Sequence, residues 1–253
     1  MNLEDSVILI TGAARGLGAA MARGVASRGA IPVLVDLDEA SLDRTRQACE
    51  ALGAEIGCYA ADVSREADVE RLFEQTVKDF GRLDALINNA GILRDGLLVK
   101  AREGEIVDKL SLEQWQAVID VNLTGVFLCG REAAAHMIRL KSRGCIINMS
   151  SVSRAGNFGQ SNYSASKAGV AALTVVWARE LARHGIRVNA IAPGFVKTEM
   201  VASMRPEILE KVTAGIPAGR LCEPEEIAHA AIYLLENDYM NGRVLEIDGA
   251  ARL

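Results

Sequence analysis

Short apolar, β-branched runs alternate with longer amphipathic segments from one end of this chain to the other. The runs predict strands over residues 7–11, 32–35, 56–60, 85–88, 145–149, 188–192 and 244–247. Between them, apolar positions recurring every three or four residues predict helices over 17–28, 40–52, 67–80, 112–140, 164–183 and 224–235. The strand segments are continuously apolar, the pattern of a sheet covered on both faces. Strand–helix alternation of this kind predicts an α/β fold: a doubly wound parallel sheet of about seven strands, helices on both faces and right-handed crossovers. No Pro/Gly/Ser-rich linker divides the chain, so residues 1–253 are expected to form one domain. The irregular stretches, 92–109 and 195–223, both follow strand ends, where such sheets bind ligands. The second is the expected substrate lid.

Composition excludes several functions. Hydrophobic residues make up 50% and charged residues 24% of the 253, ordinary for a globular protein. A net charge of -5 and the lack of any basic run argue against a nucleic-acid surface. No apolar stretch approaches the ~18 residues of a membrane span. The start, Met1-Asn-Leu-Glu-Asp5, lacks the positive charge and apolar run of a secretory signal. Five cysteines without a C-x-x-C pair point to free thiols in a reducing compartment and to no metal site. A cytoplasmic protein is expected.

The candidate chemistry sits at the predicted strand ends. Thr11-Gly-Ala-Ala-Arg-Gly-Leu-Gly18 joins the first strand to the first helix. Gly12 permits a sharp turn, Gly16 a close approach of backbone to a pyrophosphate, and Gly18 close helix–strand packing. The helix N-terminus then offers free amides to the anion. Asp36 ends the second strand, twenty residues beyond Gly16, where a carboxylate can accept from ribose hydroxyls; the alternative is a cap for the helix near Ala40. Asp62-Val63 and Asn88-Asn89-Ala90-Gly91 stand at two further strand ends, although Asn-Asn-Ala-Gly is also good turn chemistry.

Tyr163 and Lys167 lie one helical turn apart, just after the strand end that carries Ser150 and Ser151. An ammonium ~5 Å from a phenol, at an effective dielectric of ~20, favours phenolate by ~3 kcal/mol. That would bring a tyrosine from ~10 to between ~7 and 8, where it exchanges protons at cellular pH. A serine hydroxyl from the strand end could hold a carbonyl or alcohol oxygen before that phenol. The alternative is an ordinary surface Tyr/Lys pair.

Taken in order, these pieces resemble the short-chain dehydrogenase/reductase family, with its Rossmann-type fold. The matching residues are Thr11-Gly-x-x-x-Gly16-x-Gly18, Asp62, Asn88-Asn-Ala-Gly91, Asn122, Ser150/Ser151, Tyr163-x-x-x-Lys167, Pro193-Gly194 and Thr198. The resemblance implies hydride transfer between a nicotinamide cofactor and a carbon bearing oxygen. It implies Tyr163 as acid/base and Lys167 as the residue that lowers its pKa and binds the nicotinamide ribose. It further implies a serine orienting the substrate, and Asn122 holding a water of a proton relay. Arg15, Leu17, Asp36, Val63, Asn89, Ala90, Val196 and Thr198 would complete the cofactor contacts. Ser150 lies thirteen positions before Tyr163, the family's usual interval, and Ser151 falls one short. The strand-end pattern Ile-Ile-Asn-x-Ser-Ser nevertheless favours Ser151. Two more departures are a charged segment at 97–110, expected as a solvated hairpin, and Ala250 where relatives commonly carry a second glycine.

Arg94-Asp-Gly-Leu-Leu98 and the stretch 217–226 resemble bacterial 3-oxoacyl-acyl-carrier-protein reductases. That likeness implies a 3-oxoacyl thioester substrate, a possible acyl carrier protein partner and a homotetramer. Hydroxysteroid, polyol or other secondary-alcohol oxidation, and a non-catalytic NAD(H) sensor, are the competing readings. Two basic groups, Arg139/Lys141/Arg143 and Arg183/His184, are candidates for an acidic carrier, or simply complement helix dipoles. Apolar residues in the lid (Met200, Val201, Met204, Ile208, Leu209 and Ile216) suit an apolar tail. Asp36, followed by Leu37, Asp38 and Glu39, should repel the 2′-phosphate of NADP more than Arg15 attracts it, so NAD(H) is expected to be preferred, with NADP(H) possible.

Overall fold

The computed structural model of the chain describes residues 1–202 and 206–251, the side chains of Met200, Ala202, Pro206 and Ile208 excepted. Nine strands are present among them: β1 (Val7–Thr11), β2 (Ile31–Asp36), β3 (Gly57–Ala60), β4 (Ala85–Asn88), β5 (Val99–Arg102), β6 (Glu105–Lys109), β7 (Cys145–Met149), β8 (Arg187–Pro193) and β9 (Val244–Ile247). The helices are α1 (Gly16–Ala26), α2 (Asp43–Glu50), α3 (Glu66–Phe80), α4 (Leu112–Ile119), α5 (Gly125–Arg139), α6 (Ser161–Leu181), α7 (Glu199–Ala202), α8 (Pro206–Ala214) and α9 (Pro224–Glu236).

Seven strands form one sheet in the order β3-β2-β1-β4-β7-β8-β9, every pairing parallel. The chain reverses its winding between β1 and β4, so a crevice opens above their C-terminal ends. Successive residues of β1 face opposite layers: Ile8 and Ile10 pack with α1 and α9, Val7 and Leu9 with residues of α3 and α5. Burial on both faces explains why these strands carry unbroken apolar runs.

β5 and β6 make a separate antiparallel hairpin whose residues are all exposed, as the charges of 97–110 suggest. Glu103 (φ 51°) and Gly104 (φ 85°) turn it, both left-handed as a two-residue hairpin loop requires.

Three boundaries differ from the sequence pattern. The 112–140 segment is two helices joined through a π turn, Asp120–Thr124, that no glycine or proline announces before Gly125. Helix α6 begins three residues early, so Tyr163 lies inside its first turn. Residues 195–223, read as irregular, contain α7 and α8.

Candidate active site

The glycine loop is built for close approach. A Cβ on Gly18 would lie 2.1 Å from the Gly12 carbonyl oxygen, and one on Gly12 would lie 2.9 Å from Ala90 Cα. Gly12 also takes φ +66°, where side chains are strained. A Cβ on Gly16 (φ +54°) would meet only Thr198 Cγ2 among the described residues, at 3.7 Å. Arg15 precedes α1 without a side-chain cap, so the first-turn amides are left for an anion. That uncapped turn, opposite bare glycines, fits a dinucleotide pyrophosphate.

Asp36 sits beside this loop. Its carboxylate accepts from the Ala14 and Leu37 amides at 3.0 and 2.9 Å. The capping role weighed for it belongs instead to Asp38, which accepts from Ala40 N at 3.3 Å. Asp62 accepts from both the amide and hydroxyl of Ser64. Val63 is buried where a Cβ on Gly125 would touch it at 2.9 Å. Arg15 ion-pairs with Glu199 at the start of α7, 3.3 Å away, both exposed.

The asparagines are struts rather than mere turn formers. Asn89 donates to the carbonyls of Thr11 and Gly12, each at 2.9 Å, and the Thr11 hydroxyl accepts from the Asn89 and Ala90 amides. These bonds tie β1 to β4 at the point where the crevice opens. Gly91 follows; a Cβ there would stand 3.3 Å from Asn122 Oδ1 and 3.7 Å from Lys167 Nζ. Beneath them Asn88 donates to Asn148, and Asn148 to Thr174 of α6, a fully buried chain linking β4, β7 and the helix. Sequence reading missed Asn148 and Thr174, whose signal is a lone polar residue inside an apolar run.

The π turn aims Asn122 inward. Its side chain is fully buried, accepting from Ile92 N at 2.8 Å and donating to Ile92 O at 3.0 Å. The local helical bond weighed as its alternative is not the one observed. Asn162, also missed, donates to the Arg94 and Gln114 carbonyls and accepts from Tyr163 N, fixing the start of α6.

Ser150 and Ser151 face different ways. Ser150 donates to the Lys167 carbonyl at 2.9 Å. Ser151 turns its hydroxyl toward the Tyr163 phenol. Lys167 is buried, donates to Met149 O at 2.7 Å, and lies 5.6 Å from the centre of the Tyr163 ring.

One expectation is overturned. Lys167 does not bring Tyr163 down toward neutrality in the protein alone: burial raises the phenol, the Ser151 bond lowers it, and Asp95 raises it again. Burial also pushes the Lys167 ammonium down to about 8. The expectation assumed a full charge beside the phenol oxygen, whereas the ammonium is costly to keep charged and stands over the ring with one bond spent on a carbonyl.

Pro193 and Gly194 end β8, and a Cβ on Gly194 would lie 2.8 Å from Asp248 Cα. Val196 bridges Cys222, and Thr198 N donates to Val196 O at 2.8 Å, which brings Thr198 up to Gly16 of the glycine loop. Met204 lies outside the described residues, as do the side chains of Met200 and Ile208. The basic groups Arg139/Lys141/Arg143 and Arg183/His184 precede β7 and β8, at the N-terminal ends of the strands, away from the C-terminal ends that lead to Tyr163. There they complement the C-terminal ends of α5 and α6 and do not flank the cleft.

A family model described as enoyl-(acyl carrier protein) reductase matches residues 12–250. The chain is 42% identical to a 3-oxoacyl-(acyl-carrier-protein) reductase of Thermotoga maritima, with 98% of each chain covered. It is 38% identical to a (3R)-3-hydroxyacyl-CoA dehydrogenase of Mus musculus, covering 98% of this chain and 97% of the other. The structure of levodione reductase superimposes with a TM-score of 0.88 at 37% identity, covering 97% of each. The chain belongs to the short-chain dehydrogenase/reductase family, as an oxidoreductase that interconverts ketones and secondary alcohols with a nicotinamide cofactor.

Proposed function

We propose that the protein reduces 3-oxoacyl thioesters, including those carried by acyl carrier protein, with NADH preferred to NADPH. The observation that carries the reading is the Ser151 hydroxyl facing the Tyr163 phenol beside the buried ammonium of Lys167. An alkoxide forming between the two hydroxyls would be held by Ser151 and protonated by Tyr163. Lys167 would bind the nicotinamide ribose, and Asn122 would hold a water through which the proton is replaced. The cofactor supplies the hydride. Gly12, Arg15, Gly16, Leu17 and Gly18 would hold its pyrophosphate, Asp36 its adenine ribose, and Asp62 and Val63 its adenine. Asn89, Ala90, Gly91, Pro193, Gly194, Val196 and Thr198 would line the nicotinamide half.

The acyl class is supported by the names of the two sequence relatives and by a groove of about 520 Å³ along α8, lined by Leu209, Thr213, Ala214 and Ile216 among others. A homotetramer is supported by exposed apolar side chains on α5 and α6: Phe127, Ile138, Val175 and Val176. A cytoplasmic setting is supported by five free cysteines. Among the described residues no helix is long and apolar enough to cross a membrane.

Stopped-flow oxidation of NADH with 3-oxoacyl thioesters, ketosteroids and small cyclic ketones tests the reading. The thioesters should give the highest kcat/KM; a ketosteroid or cyclic ketone outrunning every thioester would overturn it.

A further inference from the structure

Ser151 opens a short turn, Val152–Ala155, and accepts from Ser153 N at 3.1 Å on its hydroxyl oxygen. That bond leaves the hydroxyl hydrogen for an oxygen placed before Tyr163. Arg154, three residues beyond Ser151, reaches back to the same serine. Its Nη1 donates to the Ser151 carbonyl at 3.2 Å, which also accepts from Arg154 N at 3.1 Å. Its Nη2 pairs with Glu246 on β9. Two residues past the end of β9, the Gly249 carbonyl accepts from Ala218 N at 3.1 Å, at the base of the proposed lid.

We propose that Arg154 is a positioning residue for Ser151: its guanidinium, anchored on Glu246, fixes the turn that aims the serine hydroxyl. The inference rests on the substrate-orienting role proposed for Ser151. A planar fork with donors in two directions suits this task, and a lysine cannot serve both acceptors in one geometry. The Glu246 side chain is 40% exposed, so the pair adds little to stability and its loss should appear in rate, not in folding. Because the Ser151 bond lowers the Tyr163 phenol, a misplaced serine also moves the pH profile. The other charged groups bearing on that phenol are Asp95 and the ammonium of Lys167.

The test compares Arg154→Gln, Arg154→Lys, Glu246→Ala, Ser151→Ala and the double variant Ser151→Ala/Arg154→Gln on one good ketone. Arg154→Gln should lower kcat about tenfold with KM and NADH Kd near those of the parent, the pattern of an interaction realised at the transition state. Glu246→Ala should follow in the same direction, and Arg154→Lys should recover part of the loss. The alkaline limb of reduction should rise by about 0.5 pH unit in Arg154→Gln, since less phenolate is stabilised. In the Ser151→Ala background, Arg154→Gln should cost less than about twofold more, because the two changes then share one mechanism. A full tenfold loss in that background, or an unchanged kcat and limb in the single variant, overturns the positioning role. Parent activity in Ser151→Ala overturns the serine reading itself, whatever Arg154 does.

Discussion

The Ser150 hydroxyl donates to the backbone carbonyl of Lys167 at 2.9 Å, which turns it away from the cleft and leaves Ser151 to face Tyr163. Ser151→Ala should therefore cut turnover by ~10²-fold, the low end for one positioned donor at a developing alkoxide. Ser150→Ala should act on stability, removing a buried bond worth about 1 kcal/mol. Steady-state rates and thermal melts of both variants separate the roles. A larger rate loss in Ser150→Ala would show that the thirteen-residue interval to Tyr163, not the strand-end pattern, selects the working serine.

Tyr163→Phe should keep NADH affinity and lose at least ~10²-fold in turnover, as expected for a positioned acid. Because burial raises the phenol in the protein alone, it stays protonated at neutral pH, the form that reduction needs. Alcohol oxidation needs the deprotonated form and should accelerate as pH rises. Rates in the two directions, followed across pH, check this; a parallel rise in both would remove Tyr163 as the titrating group.

Lys167 makes a prediction about stability. Its ammonium is held down at about 8, below its value in the unfolded chain. Between those two values the unfolded chain binds more protons, so folding stability rises with pH in that window, by a total on the order of 3 kcal/mol. Below it both states are charged and the burial penalty is felt in full. The melting temperature of the parent relative to Lys167→Met should thus climb from about pH 7.5 to about pH 9.5. A difference that stays flat would mean that the lysine is neutral, or well solvated, throughout.

The proposed preference for NADH rests on Asp36. Its carboxylate stands beside the loop, and Arg15 is already engaged by Glu199, so a 2′-phosphate meets repulsion with a distracted cation. NADH should exceed NADPH in kcat/KM by at least about tenfold, or ~1.4 kcal/mol. Asp36→Asn should narrow that ratio while keeping the loop bond to Ala14. Equal use of the two cofactors by the parent would show Arg15 to govern the pocket.

Ala250 carries φ +66°, a left-handed backbone at the position where relatives commonly have glycine. An alanine there costs about 1 kcal/mol or more, which glycine would relieve. Ala250→Gly should raise the melting temperature without changing kcat. A lower melting temperature would mean that the alanine methyl makes contacts worth more than the strain.

Much of the sheet was legible because strands buried on both faces must be apolar throughout, as β1 is. The Tyr163/Lys167 spacing was legible for a similar reason, since helical geometry leaves little choice. The state of Lys167 was not: a lysine in a sequence reads as surface, and only packing shows it buried against Met149 O. The π turn at Asn122 escaped because an apolar period that slips by one residue looks the same as a helix face slightly widened. Helix α8 escaped because Pro206, Gly215, Pro217 and Gly219 read as breakers, although it starts on Pro206 and ends before Gly215.

Three bonds clamp α6 to β7 and its end: Asn148 to Thr174, Ser150 to the Lys167 carbonyl, and Lys167 to Met149 O. Sliding the helix by one residue, ~1.5 Å, would break all three together. Strand and helix therefore move as a single rigid tool, and its working edge does not adapt to what is brought to it. Adaptation is expected of the hairpin and of the proposed lid, which take no part in those three bonds. Grafting those two segments from a relative of different taste should change which ketone is accepted and leave the proton-transfer step untouched.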